Sequence, residues 1–323
     1  MSVVEGIGAD EGIAAAIVAA PGRSPRQLFW HRFRQDRAAV AGGLVVLLLI
    51  FIAIAGGPIA SRITGHPQNT QYLDTMADDF GVPKGPTSEF WFGADAEARD
   101  LFVRTMYGAR TSLIVGVVAT GIAVTIGVIV GLFAGFLGGV VDTLFSRAAD
   151  VMLAVPVLLL SVGIVAACSV NKNGCLGGVL QPGLSLVIAV IALFSWPYIA
   201  RIVRGVTLSL REKEFVEASR SLGASNLRIV MREILPNLVA PVIVYTTLLI
   251  PANILFEAAL SYLGPGVPPD QASWGQILSE ASQLYNVAWW LMVFPGAFLV
   301  VTTLAFNLLG DGLRDALDVR SDR

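Results

Sequence analysis

The sequence predicts an all-α integral membrane protein with six transmembrane helices, and three observations predict it. Of the 323 residues, 55% are hydrophobic and only 14% are charged, against about 25% charged in a typical soluble domain. Uncharged runs cover residues 38–61, 111–141, 151–171, 173–200, 234–256 and 281–310, and each reaches the roughly 20 residues that a helix needs to cross about 30 Å of hydrocarbon. None of the runs alternates apolar and polar residues as a barrel strand would. With no water in the bilayer to satisfy backbone groups, helices are what remains.

Taken in order, residues 1–37 read as a cytoplasmic amino-terminal tail. Its first part, to about Gly22, carries small side chains and no charged helical face, as a disordered segment does. The run 38–61 lies too far along the chain, and is too long, to be a cleaved signal core, so it is retained as the first transmembrane helix. Residues 62–110 form an extracytoplasmic loop, rich in Pro, Gly and Asp up to Ala94. It then reads DAEARDLFVRTMYGARTSL, with Leu101, Phe102 and Met106 at helical spacing. That spacing predicts an amphipathic helix lying on the outer surface and feeding the second span, with Arg99, Arg104 and Arg110 as interfacial anchors. In the second run Gly116, Gly121, Gly127, Gly131 and Gly135 leave room for neighbouring helices to approach. Residues 111–310 hold the remaining five spans together with a cytoplasmic loop at 204–236, and residues 311–323 form a cytoplasmic tail.

Orientation follows from lysine and arginine, which short cytoplasmic loops retain. With the amino terminus inside, 16 of the 22 basic residues fall on the inner side, so both termini face the cytoplasm. The formal net charge of −2 points to no nucleic-acid partner. The two cysteines, Cys168 and Cys175, flank one outer loop. They either staple it or remain as a buried thiol and a free one. The two histidines, His31 and His66, fall on opposite sides of the membrane, so no metal site is expected.

The most informative stretch lies between the fourth and fifth spans: ARIVRGVTLSLREKEFVEASRSLGASNLRIVMREILPNL. Leu208, Arg211, Phe215, Ala218 and Leu222 share one helical face. Beyond Gly223, Ser225 can cap a second short helix with Leu227, Val230 and Met231 on its inner side. A helix, a glycine turn and a helix make either a rigid knob for docking into another protein or a solvated hairpin.

Within it, EASRSLGASNLRIVMREILP resembles the signature of ABC importer permeases: E-A-A, three residues, G, nine residues, I-x-L-P. Glu217, Ala218, Gly223, Leu235 and Pro236 match in register; Ser219 replaces the second alanine, and Glu233 stands where isoleucine is expected. RFRQDRAAVAGGLVVLLLIFIAIAGGPIA is similar to the extra first helix of DppC/OppC-type subunits in the dipeptide, oligopeptide and nickel branch. FGADAEARDLFVRTMYGARTSL and LSYLGPGVPPDQASWGQIL are similar to the opening and the last outer loop of their core.

The resemblance implies a MetI-like five-helix core behind one added helix, in a bacterial inner membrane. It implies that Phe215, Glu217, Ala218, Ser219, Leu222, Gly223 and Ala224 couple to an ATPase subunit and that Pro236 stops the second helix and aims the chain back into the membrane. It further implies a second homologous permease, two ABC ATPase subunits carrying ATP and Mg2+, and an extracytoplasmic peptide-binding protein, all in membrane lipid. Glu257, Tyr262 and Trp274 are the candidates for the binding-protein or pathway side, with the binding of an outer-loop backbone as the other, structural reading of Glu257. Cargo is expected to be dipeptides first, then longer oligopeptides, then nickel chelates.

No catalytic residue or bound cofactor is expected in this chain. It lacks G-x-x-x-x-G-K-[ST], H-E-x-x-H and G-x-S-x-G. An ion-coupled secondary transporter is the rival class. It would need ionisable groups near the midplane, whereas Asp142, Arg147, Asp150 and Glu257 lie toward span ends.

Overall fold

A computed structural model describes residues 24–170, 174–264 and 266–317. The tail expected to be disordered lies outside the described residues. Helix α1 (Pro25–Gln35) starts at a capping box made by Ser24 and Gln27. The Asp36 carboxylate then accepts from the amides of Ala38 and Ala39, at 2.9 and 3.1 Å, and so starts the first long apolar helix, α2 (Arg37–Thr64). A π segment at Ile52–Gly56 interrupts α2.

Helix α3 (Leu101–Leu137) is capped by Asp100 and runs for 37 residues without a break. At 1.5 Å per residue it is about 55 Å long, well beyond the hydrocarbon thickness. The expected surface helix is therefore corrected. Its residues are the first turns of α3, with Leu101, Val103, Arg104 and Met106 buried.

Helices α4 (Gly139–Ala154) and α5 (Val157–Ser169) meet at a bend of 85° beside Pro156. The third apolar run is thus a broken pair rather than a straight span, because proline lacks a donor and disfavours helix at the residue before it. Next come α6 (Leu184–Arg211), α7 (Glu214–Ser221), α8 (Asn226–Tyr262), α9 (Trp274–Ala281) and α10 (Trp290–Leu317). Among the described residues five helices are long and apolar enough to span, or six with the bent pair counted once.

Helices α3 and α6 cross in close contact. A Cβ on Gly131 would collide with the Ala200 carbonyl, and one on Gly127 would lie 2.7 Å from Ile199 Cβ; Gly121 has nothing within 4 Å. Toward the middle, Asn253 of α8 donates to Thr120 of α3 and accepts from Ser195 of α6, both at 2.9 Å. This pairs a polar side chain that lipid could not satisfy. Leu44, Leu47 and Ile54 of α2 are exposed, as lipid-facing residues are.

Between α2 and α3 the chain builds a small cap from turns and isolated bridges, packed on Met76, Phe90, Ala94 and Ala98. There His66 stacks on Phe90 and its Nδ1 lies 2.6 Å from Asp100 Oδ2. Cys168 and Cys175 are bonded, with Cα atoms 5.1 Å apart, which decides between the two readings of that loop.

Candidate functional site

The signature stretch forms one end of the molecule. Helix α6 closes at Arg211, whose Nη1 donates to the Phe136 carbonyl at 3.0 Å and so holds the end of α3. The chain turns at Glu212 and Lys213 before α7 starts. The expected continuous face through Leu208, Arg211 and Phe215 is broken there, and Val216 rather than Phe215 becomes the buried anchor of α7.

Helix α7 ends in a Schellman closure. The Gly223 amide donates to the Arg220 carbonyl and the Ala224 amide to the Ser219 carbonyl, both at 3.0 Å, with Gly223 at φ +80°. This left-handed conformation suits glycine. Ser225 then caps α8 by accepting from the Arg228 amide at 3.4 Å, as its position predicts.

Pro236 corrects a second expectation. It does not stop a helix but sits in the first turn after a π segment at Val230–Ile234, and α8 continues through it to Tyr262. The wider π turn accommodates the ring and the missing donor.

The inward face also differs from the expected one. Ile229, Val230 and Ile234 join Val216 and Leu238 in a core with Leu132, Phe136, Ile199 and Val203. Leu227 and Met231 point outward. Leu222 is 88% exposed and Phe215 39%; Glu217, Ala218, Gly223 and Pro236 are exposed as well, with Ser219 and Ala224 half-buried. An apolar rim of Phe215, Leu222, Leu227 and Met231 thus stands on a rigid, well-anchored base.

Two ion pairs behind this element escaped the sequence reading. Arg204 of α6 grips Asp142 of α4 through both oxygens, and Arg201 Nη2 meets Asp150 Oδ1 at 2.7 Å. The clue was available: opposite charges flank consecutive apolar runs.

At the opposite end the three outer candidates separate. Trp274 is fully buried; its Nε1 donates to the Thr105 carbonyl at 3.1 Å, and its ring lies against Gly108. Glu257 is also fully buried and accepts from Ser112, Ser261 and Ser273 at 3.1, 2.8 and 2.9 Å, which ties α3, α8 and the start of α9 together. The pathway or docking assignment of these two is corrected, since neither reaches a surface; Glu257 is held by serine hydroxyls of α3, α8 and the start of α9 and not by an outer-loop backbone group. Tyr262 remains exposed.

Arg99 and Arg104, expected as interfacial anchors, are instead buried in a network. Both contact Asp95 Oδ2, at 2.6 and 2.9 Å, and both donate to the Pro269 carbonyl. Arg99 reaches Glu280 at 3.1 Å, and Arg104 reaches Gln276 at 2.9 Å. Burial and the nearby Asp95 charge raise the Glu280 carboxyl above its ordinary range. Among the described residues no group of three His, Cys, Asp or Glu side chains could hold a metal.

Residues 127–323 match the family of binding-protein-dependent transport system inner membrane components, and residues 24–80 match the N-terminal TM domain of oligopeptide transport permease C. The chain belongs to this family of ABC importer permeases. The glutathione transport system permease protein GsiD of Escherichia coli O6:K15:H31 (strain 536 / UPEC) is 42% identical over 296 residues, which is 92% of this chain and 91% of that protein. GsiD of Shigella boydii serotype 4 (strain Sb227) gives the same values, 42%, 92% and 91%. Among solved structures, the inward-facing MetNI methionine ABC transporter aligns with a TM-score of 0.52 at 22% identity, over 65% of this permease and 94% of that chain. This likeness carries the fold. The permease is thus the non-catalytic, multi-pass inner-membrane component of an importer in the peptide and oligopeptide family, as the signature implied.

Proposed function

We propose that this permease forms half of a translocation pathway for short peptides, from dipeptides to molecules of glutathione size. In this reading it pairs with a second permease and is driven by two ATPase subunits. The observation that carries the coupling is the apolar rim of Phe215, Leu222, Leu227 and Met231, raised on a glycine-closed turn whose inner face is packed. Exposed apolar residues at the tip of a rigid element suit a groove in a partner protein. Closure of two ATPases would draw two such elements together, and α6, which leads directly into α7, would carry that displacement along the membrane domain. On this reading the rim faces the cytoplasm, both termini lie on that side, and ATP with Mg2+ binds only to the ATPases.

The cap then faces the extracytoplasmic binding protein. An open cleft of about 490 Å³ between Glu97 of the cap and Pro268, Glu280 and Gln283 of the α8–α9 region offers a contact surface. The peptide cargo is supported by the 42% identity to a glutathione permease over nearly the whole chain.

The test is reconstitution of the complete complex in vesicles with its binding protein. ATP-dependent uptake of a dipeptide, glutathione and a nickel chelate is compared between wild type and Gly223→Val. Nothing in this chain lies within 4 Å of a Cβ on Gly223, so within the permease the substitution acts through φ +80°. Peptide uptake by wild type and loss of both ATPase co-purification and uptake in the variant are expected. Uptake of the chelate alone would replace the cargo, and uptake without ATP would overturn the coupling.

A further inference from the structure

We propose that the groove between α2 and α3 around Arg110 is a binding site for one anionic phospholipid, with the phosphate on Arg110 and an acyl chain along the groove. This holds whatever the cargo is.

Three arginines occupy the first turns of α3 or the residues just before it. Arg99 and Arg104 are turned inward and neutralised by Asp95 and Glu280. Arg110 is exposed, and among the described residues it has neither an ion pair nor a hydrogen-bond partner. It opens into a cavity of about 480 Å³ walled by Ile50 and Ile54 of α2 and by Leu113, Ile114 and Val117 of α3. No carboxylate lines it. An unpaired guanidinium set in an apolar groove of a membrane helix is costly unless an anion meets it, and the anion that a bilayer supplies is the lipid phosphate. Guanidinium matches phosphate through two parallel hydrogen bonds.

The depth agrees. Gly57 of α2 packs against the Tyr107 ring, so Arg110 lies about one turn deeper, level with Ile54. Arg62 closes the uncharged run of α2 eight residues beyond Ile54, or about 12 Å at 1.5 Å per residue. Side chains on a helix lean toward its N-terminus, which for α3 is the capped end, so a long arginine stem rises toward the headgroups. From Arg110 to Val118 the groove runs eight residues the other way, again about 12 Å, most of the roughly 15 Å depth of one leaflet. The wall on α2 includes the π segment Ile52–Gly56, where Ile54 is 73% exposed.

A helix of the second permease is the other occupant to exclude. It would have to bring an acid to Arg110 and would leave no room for lipid.

The experiment uses the full complex, equilibrated in vesicles of equal phosphatidylglycerol and phosphatidylcholine, extracted in mild detergent, and assayed for retained lipid by native mass spectrometry. Wild type is expected to retain phosphatidylglycerol in preference. Arg110→Gln is expected to reduce that preference about fivefold, the ratio equivalent to the roughly 1 kcal/mol that one basic residue gains at an anionic membrane surface. Arg110→Lys is expected to keep most of it, and Val117→Trp, which fills the groove, to lower retention of both lipids. An undiminished preference in Arg110→Gln would overturn the proposal. So would efficient cross-linking of a cysteine placed at Val117 to the second permease. Should Arg110→Gln fail to accumulate, unchanged retention in Val117→Trp overturns it alone.

Discussion

The two ends of this permease solve opposite problems. At the capped end Arg99, Arg104, Asp95, Gln276, Glu257 and three serines are buried and bonded to one another or to the half-buried Glu280, and Trp274 fills the space beneath them. At the signature end the base is equally well packed, around Val216, Ile229 and Ile234, yet its tip leaves large apolar side chains in the open. Buried polar groups must find all their partners within the chain, because an orphaned charge costs several kcal/mol. Exposed apolar groups can wait for a partner protein, and their exposure is the better sign of an interface. The end that looks polar in sequence is therefore the self-contained one.

Substitutions can break this contrast. Arg104→Met leaves the buried Asp95 with one fewer cation and should cost about 3–5 kcal/mol, read as a fall in the unfolding midpoint of the purified permease. An unchanged midpoint would mean that the cap is not held by its ion pairs. A smaller effect belongs to the α3–α6 crossing that joins the two ends. Gly131→Ala should cost about 1–3 kcal/mol by overpacking against the Ala200 carbonyl, whereas Gly121→Ala should stay within about 0.5 kcal/mol. Equal effects from the two would show that close helix approach is not what selects glycine there.

The smallest change in stability, within about 0.5 kcal/mol, is expected for Leu222→Asp combined with Leu227→Asp, since both side chains are exposed. The same pair should weaken co-purification of the ATPase at least about tenfold, equivalent to 1.4 kcal/mol. A loss of stability without a loss of association would reverse the roles assigned to the two ends.

Much of the signature element was legible in the sequence because it is local. The positive φ of Gly223 and the Ser225 cap each depend on a few consecutive residues. Pro236 was misread because a π segment five residues long can absorb a proline that an ordinary helix would not, and nothing in the neighbouring residue types announces it. The face of α7 was misassigned because the break at Glu212–Lys213 resets the helical phase.

By itself the sequence determined the solvent. Long uncharged runs can be satisfied only as helices in a bilayer, and the spacing of the family signature is a property of the chain alone. The fate of the charged and aromatic residues near span ends was decided only by the tertiary structure. Arg104 and Arg110 lie six residues apart on one helix, yet one is sealed against Asp95 and the other opens into an apolar groove. Trp274 and Glu257 are core residues because α3, α8 and α9 converge on them. Burial and pairing depend on which elements meet, and that is set by packing between segments more than 100 residues apart, as Ser112 and Glu257 are at a separation of 145.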